Sequence, residues 1–422
     1  MIYDLVIIGG GPAGMMSAGW AAKNGKKVLL LEKNRQLGMK LLITGRGRCN
    51  LTNAEEDKKK LISAYGQNGK FLFSAIFAFD NYKVMDFFNN LGLKTKIERG
   101  KRVFPISDDA YSVLNALKKF LDNNKVEIKY GCEVEKIKKL KNNFIIIYTD
   151  SSNSITKTVE IAAKRVVVAC GGKSYPDSGS SGQGYELARQ LGHNIIDTQP
   201  ALTPIIIKEK WVKDLQGLDL KNVELSLYQH DKKVDSRFGE MLFTHFGISG
   251  PIVLDISKRV GEALDCHFFG KKNKVKLSIN LKPALNAVEL DRRVQRDFVQ
   301  FNNKQFKNAL DLLLPKKLIA IIIKLSGLDP GMKVNQIDKN QRGSLVKLLQ
   351  NLELTPTQLK GYDLAIVTTG GVDLKEVNPK TMESKITKGL YFCGEVLDID
   401  GPTGGYNLQV AWSTGFVAGN HI

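Results

Sequence analysis

The segment Gly9-Gly10-Gly11-Pro12-Ala13-Gly14 most constrains how this chain folds. It follows an apolar run, Ile2–Ile8, which reads as a buried strand. It opens a helical stretch that Gly25 ends, and the second strand, KKVLLLE, closes on Glu32. A G-x-G-x-x-G hexapeptide alone is weak evidence. Between a strand and a helix, with an acid at the end of the next strand, it marks a dinucleotide site. Gly9 permits the tight turn, Gly11 lets backbone approach a pyrophosphate, and Gly14 lets the helix pack on the strand. The helix start offers free N–H groups to the phosphates, and Glu32 can accept both ribose hydroxyls.

The motif does not separate FAD from NAD. The C-terminal region does. Tyr391–Asp398 (YFCGEVLD) puts Glu395 and Asp398 just past a last strand, and Gly404-Gly405-Tyr406-Asn407 opens the closing helix. A late strand–Gly–acid element suits a flavin ribityl chain. The helix behind it can stabilise reduced, anionic flavin.

Between these ends, strands are expected at Val126–Tyr130, Cys132–Lys138, Asn143–Thr149 and Arg165–Ala169, with a turn at Asp150–Ser154. Helices are expected at Phe71–Leu91 and Ala110–Asn123. After about residue 195 the texture changes to short strand-like runs and then to basic helices. The predicted architecture is an α/β fold with a Rossmann-like split nucleotide domain (1–194 and 351–422). Inserted into it are a strand-rich domain (195–284) and a basic helical segment (285–350).

Composition excludes several classes. Hydrophobic residues at 43% and charged residues at 25% are globular values. The apolar run Leu318–Leu325 is broken by Lys324 and far too short to span a bilayer. Five cysteines without a C-x-x-C pair argue against a disulfide framework or a zinc site, so no metal is expected. A reducing cytoplasm is the simplest setting, with no signal peptide and no membrane partner. The net charge is +19, and residues 271–350 hold 17 Lys/Arg against 6 Asp/Glu. This fits a polyanionic partner such as RNA; lysine-rich coding bias is the bland alternative. Lys271, Lys272, Lys274, Lys276, Arg292, Arg293 and Arg296 would hold phosphates, with Phe298 or Phe301 stacking on bases.

The segments GGGPAG (9–14), KLLITGRGRCNLTN (40–53), FGEMLFTHFGISGP (238–251) and MESKITKGLYFCGEVLDIDGPTGGYNLQVAWSTG (382–415) together resemble the BaiN/YhiN-like bacterial FAD-dependent oxidoreductases. These belong to the two-dinucleotide-binding-domain flavoprotein superfamily. Arg46 departs from the pattern, which expects a small residue, usually glycine. The resemblance implies FAD contacts at Gly9, Gly11, Gly14, Glu32, Lys33, Cys49, Asn50, Val134, Ala169, Gly171, Gly394, Glu395 and Asn407, with Gly172 and Asp398 as neighbours. To these we add Pro12 and Ala13, then Lys40, Leu41, Gly47 and Arg48, and at the last helix Gly405 and Tyr406.

Two residues are candidates for proton transfer. Cys49 beside Arg48 would act with a lowered pKa; packing under the flavin is the alternative. His245, in a Gly/Ser-rich loop, is a proton donor or a structural residue. The loop Ser174–Gly184 reads as a phosphate nest or, more simply, as a helix-start loop packed near the flavin. Activities attached to similar proteins include reduction of uridine in ribosomal RNA, oxidation of aminoketones and steps of bile-acid dehydroxylation. The expectations are therefore an RNA uridine reductase with NAD(P)H as reductant, a small-molecule oxidase or reductase, or a non-catalytic FAD-containing RNA-binding factor.

Overall fold

The computed structural model describes residues 2–152, 156–265 and 274–422, and the backbone alone of 267–268 and 271–272. They form two units, Met1–Ala201 with Tyr362–Ile422, and Leu202–Gly361.

In the first unit, β1 (Ile2–Ile8) runs into α1 (Pro12–Lys23) and then β2 (Val28–Glu32). Leu5, Val6 and Ile7 have no exposed surface. Such a continuous apolar run is what a parallel strand covered on both faces requires. β1 pairs in parallel with β2 and, on its other edge, with β3 (Lys157–Val168). Ile8 sits opposite both Leu31 and Val168, so the carboxyl ends of the three strands meet at one level. In open parallel sheets this is where ligands bind. The first half of β3 pairs antiparallel with Phe144–Asp150, and its last residues pair in parallel with β4 (Leu390–Phe392). The closing helix α2 (Tyr406–Asn420) lies against α1. A Cβ on Gly415 would come within 2.5 Å of the Ala13 carbonyl, so glycine sets how closely the two helices approach.

The expected helix over Phe71–Leu91 is broken. A 3-10 turn, Gly66–Leu72, leads into Phe73–Ala78, and a new helix, Asn81–Asn90, starts at Asp80. The Asp80 carboxylate accepts from the Lys83 backbone N–H at 2.9 Å, an N-cap inside an apolar periodicity that continues across it. Asn153 and Ser154 of the expected turn lie outside the described residues.

The second unit contains a seven-stranded sheet. Its order is Leu352–Leu354, Val275–Asn280, Asp219–Gln229, Lys232–Phe243, Gly247–Ser249, Ile205–Ile207 and Pro356–Leu359. Residues 352–359, placed by the sequence reading in the return of the nucleotide domain, are edge strands here. Residues 195–201 pair instead with Val367–Val372 in the first unit. The helices Ala287–Gln300, Lys316–Ser326 and Lys339–Gln350 share one core with the sheet, through residues such as Leu290, Ile322 and Leu349 beside Leu225 and Leu277. The basic segment is thus no separate layer. Among the described residues, no helix is long and apolar enough to cross a membrane.

Candidate functional site

Gly9 leaves β1 at φ +105°, which L side chains rarely adopt. A Cβ on Gly14 would stand 1.9 Å from the Gly9 carbonyl oxygen. That contact permits only glycine while helix and strand stay together. Gly11 differs: a Cβ there would meet nothing within 4 Å. It faces an open cleft, all of whose lining belongs to the first unit. Gly11 also caps α1 without any side-chain hydrogen bond, and Pro12 occupies the first turn. The helix start is therefore bare backbone beside empty space, the arrangement that receives a phosphate.

Glu32 ends β2 with 6% of its surface exposed. Its Oε2 accepts from the Gly10 N–H at 2.7 Å, and its Oε1 from the Asn34 N–H and side-chain amide, both at 2.8 Å. Burial pushes its carboxyl up, and these hydrogen bonds oppose the shift. Lys33 Nζ donates to Ser181 Oγ at 3.0 Å, and Asn34 Nδ2 donates to the Ser178 carbonyl at 3.2 Å. The Ser174–Gly184 loop is thereby fixed over the end of β2. Its Ser178, Gly179, Ser180 and Gln183 line the cleft.

On another part of the wall, Lys40 Nζ reaches both Glu395 oxygens, at 3.0 and 2.7 Å. It also donates to Ser174 Oγ at 2.8 Å. Glu395 Oε1 additionally accepts from Ser174 Oγ at 3.1 Å and from the Thr368 N–H at 2.9 Å. The two charged side chains are 19% and 20% exposed. Such a half-buried pair is held by geometry that several donors share. Asn407, at the start of α2, fixes the preceding turn by exchanging hydrogen bonds with Gly401.

The loop from Thr44 departs from expectation. Gly45, Arg46, Gly47 and Cys49 all have positive φ. Cys49 is fully buried, and burial pushes its thiol up to about 12 rather than down. Arg48 does not lower it. Its guanidinium forks onto Glu98 with two 3.0 Å bonds, reaches Asp108 at 3.1 Å and stacks 3.9 Å from the Phe104 ring centre. A fork already filled by carboxylates is not open to a phosphate. Neither Cys49 as an acid–base group nor Arg48 as an FAD contact fits this geometry. Asn50 Oδ1, by contrast, is buried and has no hydrogen-bond partner among the described residues. It is an acceptor that a donor on a ligand would satisfy.

Arg46 is exposed at φ +59°, ψ +45°. This is the left-handed region, which explains why the family pattern expects glycine there. Arg46→Gly is expected to raise stability by about 1 kcal/mol, read as a higher midpoint of urea unfolding. An unchanged or lower midpoint would contradict the strain.

Of the other expected contacts, Gly9, Gly11, Pro12, Ala13, Glu32, Lys33, Lys40, Leu41, Val134, Ala169, Gly171, Gly394, Glu395 and Asn407 line the cleft. Gly14, Gly47, Arg48, Cys49, Asn50, Gly172, Asp398, Gly405 and Tyr406 are not in that lining. Asp398 accepts from the Gly370 N–H at 3.1 Å. The sequence reading missed Thr44, Cys132, Cys170, Ile366 and Val367. The usable signal was position, because Cys132 and Cys170 stand at or just past strand ends on the ligand side of the sheet.

His245 belongs to the second unit, where it is exposed between the strands Lys232–Phe243 and Gly247–Ser249. Of the basic candidates, Lys274 pairs with Asp231 at 3.1 Å, Lys276 with Glu353 at 2.8 Å, and Arg293 with Asp297 at 2.9 Å. Arg292 and Arg296 are exposed. The side chains of Lys271 and Lys272 lie outside the described residues. Phe298 is 7% exposed and packs in the core, and Phe301 is partly buried against it. Phe298 therefore offers no face to a base.

The family model described as the HI0933-like protein Rossmann domain matches residues 3–421. A 3-dehydro-bile acid delta(4,6)-reductase of Clostridium scindens is 34% identical, over 98% of this chain and 97% of its own length. A ribosomal RNA dihydrouridine synthase of Escherichia coli is 32% identical, over 100% and 98%. Among solved structures, the 3-ketosteroid delta1-dehydrogenase of Sterolibacterium denitrificans shares the fold at a TM-score of 0.50 and 12% identity, covering 100% of this chain and 99% of that one.

Proposed function

This chain belongs to the HI0933-like family of FAD-dependent oxidoreductases, and on that premise we propose that it reduces uridine in ribosomal RNA to dihydrouridine. Bound FAD supplies hydride chemistry at its N5. The chain's own residues do the rest. The bare start of α1 and Gly11 would receive the pyrophosphate, and Glu32 the adenosine ribose. Lys40 and Ser174 keep Glu395 oriented toward the cleft. Asn50 Oδ1 offers an unused acceptor. Product formation adds one hydride and one proton across the uracil C5–C6 double bond. Cys49 does not supply that proton, because it is fully buried and holds its own with a thiol pushed up to about 12. NAD(P)H is the proposed reductant, and the cytoplasm the proposed setting.

The observation that supports RNA over an apolar substrate is the net charge of +19, which favours a polyanion over long range. A second reading has a specific basis in the bile-acid reductase relative, matched as fully as the RNA-modifying one. Both names describe reducing a carbon–carbon double bond, and in both substrates it is conjugated to a carbonyl, so one site chemistry serves either. Mass spectrometry of ribosomal RNA from a strain lacking the gene separates them. The RNA reading predicts loss of one dihydrouridine, restored by the wild-type gene. An unchanged dihydrouridine content would transfer the case to the steroid-like substrate.

A further inference from the structure

Phe73 and Phe77 stand one turn apart on the helix Phe73–Ala78, in the first unit. They are 50% and 43% exposed. Their rings stack on each other with centroids 4.4 Å apart and planes 23° from parallel. Both rings thus leave a large part of their apolar surface in water. Contiguous exposed aromatic surface of this kind marks a contact site.

The helix Lys58–Ser63 packs against Phe73–Ala78 and brings lysines to it. Lys58 Nζ lies 5.1 Å from the centre of the Phe77 ring and pairs with Asp80 at 2.6 Å. Lys59, Lys60 and Lys70 are exposed and have no ion pair among the described residues. The nearby acids are mostly engaged. Glu55 pairs with Lys101, Asp57 caps the helix Lys58–Ser63, and Asp80 holds Lys58, which leaves Glu56. The segment is also fastened to the cleft. Tyr65 donates to the Tyr406 carbonyl at 2.9 Å, and Asn68 Nδ2 donates to the Asp398 carbonyl at 2.6 Å. The adjoining Ile399 and Asn407 line the cleft.

We propose that Phe73 and Phe77 are a stacking platform for unpaired bases of an RNA strand whose phosphates are held by Lys59, Lys60 and Lys70. Exposed aromatic faces with free lysines on the adjoining segment are what a single strand needs, since every base has a π-face and every linkage a charge. A uracil entering the cleft must leave its stack, and a platform on the segment tied to that cleft would hold its neighbours. The inference rests on the RNA reading and places recognition on the first unit rather than in residues 271–296.

The test is fluorescence anisotropy with a short labelled oligouridine. Wild type is expected to bind, and the Phe73→Ala/Phe77→Ala double variant to lose at least about tenfold in affinity. Phe73→Trp/Phe77→Trp is expected to retain binding. Lys59→Gln/Lys60→Gln/Lys70→Gln is expected to flatten the dependence of binding on salt. Melting temperature and flavin content of each variant report that it is folded. If the double alanine variant binds as wild type does, the platform is overturned and the RNA reading stands. If wild type binds neither oligouridine nor ribosomal RNA, both fall. If the alanine pair instead abolishes binding to phosphatidylglycerol vesicles and spares oligouridine, the patch is a membrane contact and the proposal is overturned.

Discussion

Gly14→Ala is expected to yield a protein almost free of flavin. The added methyl would sit 1.9 Å from the Gly9 carbonyl oxygen, well inside van der Waals contact. Either α1 lifts from β1 or the Gly9–Gly11 turn opens. Overpacking of this kind costs about 1–3 kcal/mol of stability. The larger effect falls on the cofactor, because the same shift moves the helix start away from the cleft. We expect at least about a tenfold drop in FAD affinity, since each 1.4 kcal/mol is a factor of ten. Absorbance of the purified protein and an FAD titration of the stripped protein measure it. Gly11→Ala makes the useful contrast, because its methyl meets no protein atom within 4 Å. It should fold normally and weaken only FAD binding. Equal flavin content in wild type and Gly14→Ala would contradict the assignment of this turn.

Glu395→Gln is the second large effect. Glu395 is the anion that Lys40, Ser174 and the Thr368 N–H all address. The amide keeps the shape and loses the charge, which leaves the Lys40 ammonium, only 19% exposed, without its counter-ion. Removing one partner of a fully buried pair costs about 3–5 kcal/mol; partial exposure here brings the expectation to about 1–2 kcal/mol. Lys40→Met combined with Glu395→Gln should recover part of that loss, because the pair leaves together. Urea denaturation of the four proteins gives the coupling. Flavin affinity should fall in Glu395→Gln and stay low in the double variant, if Glu395 itself meets the ribityl chain. Full recovery of flavin affinity in the double variant would reduce Glu395 to a partner for Lys40.

What was legible in the sequence was local. Ile2–Ile8, the glycines that follow and Glu32 lie within one β-α-β unit, and the order of strand, turn and helix is written in adjacent residues. Ala169, Gly171 and Gly394, which the family resemblance implies, stand at or just past strand ends and line the cleft. The Lys40–Glu395 pair could not be read this way, because its partners are 355 residues apart. Arg48 shows the same limit. Arg48 is expected among the FAD contacts, but Glu98 and Asp108 arrive from other segments and take it. Cys49 looked activated because its neighbour in sequence is cationic, while burial, a property of the packed structure, pushes the thiol the other way. The Asp80 cap was misread because Phe73–Ala78 and Asn81–Asn90 continue one apolar rhythm. Leu352 and Leu354 belong to the second unit's sheet, and a three-residue strand carries too little periodicity to say so.

The most direct test of RNA as the substrate is a single-turnover experiment without oxygen. The purified protein is reduced with dithionite and freed of excess reductant. Protein-free ribosomal RNA is then added while flavin absorbance near about 450 nm is followed. The account predicts that absorbance returns and that one uridine gains the mass of two hydrogens. A flavin that stays reduced in the presence of RNA, yet is reoxidised by a 3-oxo-Δ4,6 steroid acid, would contradict it.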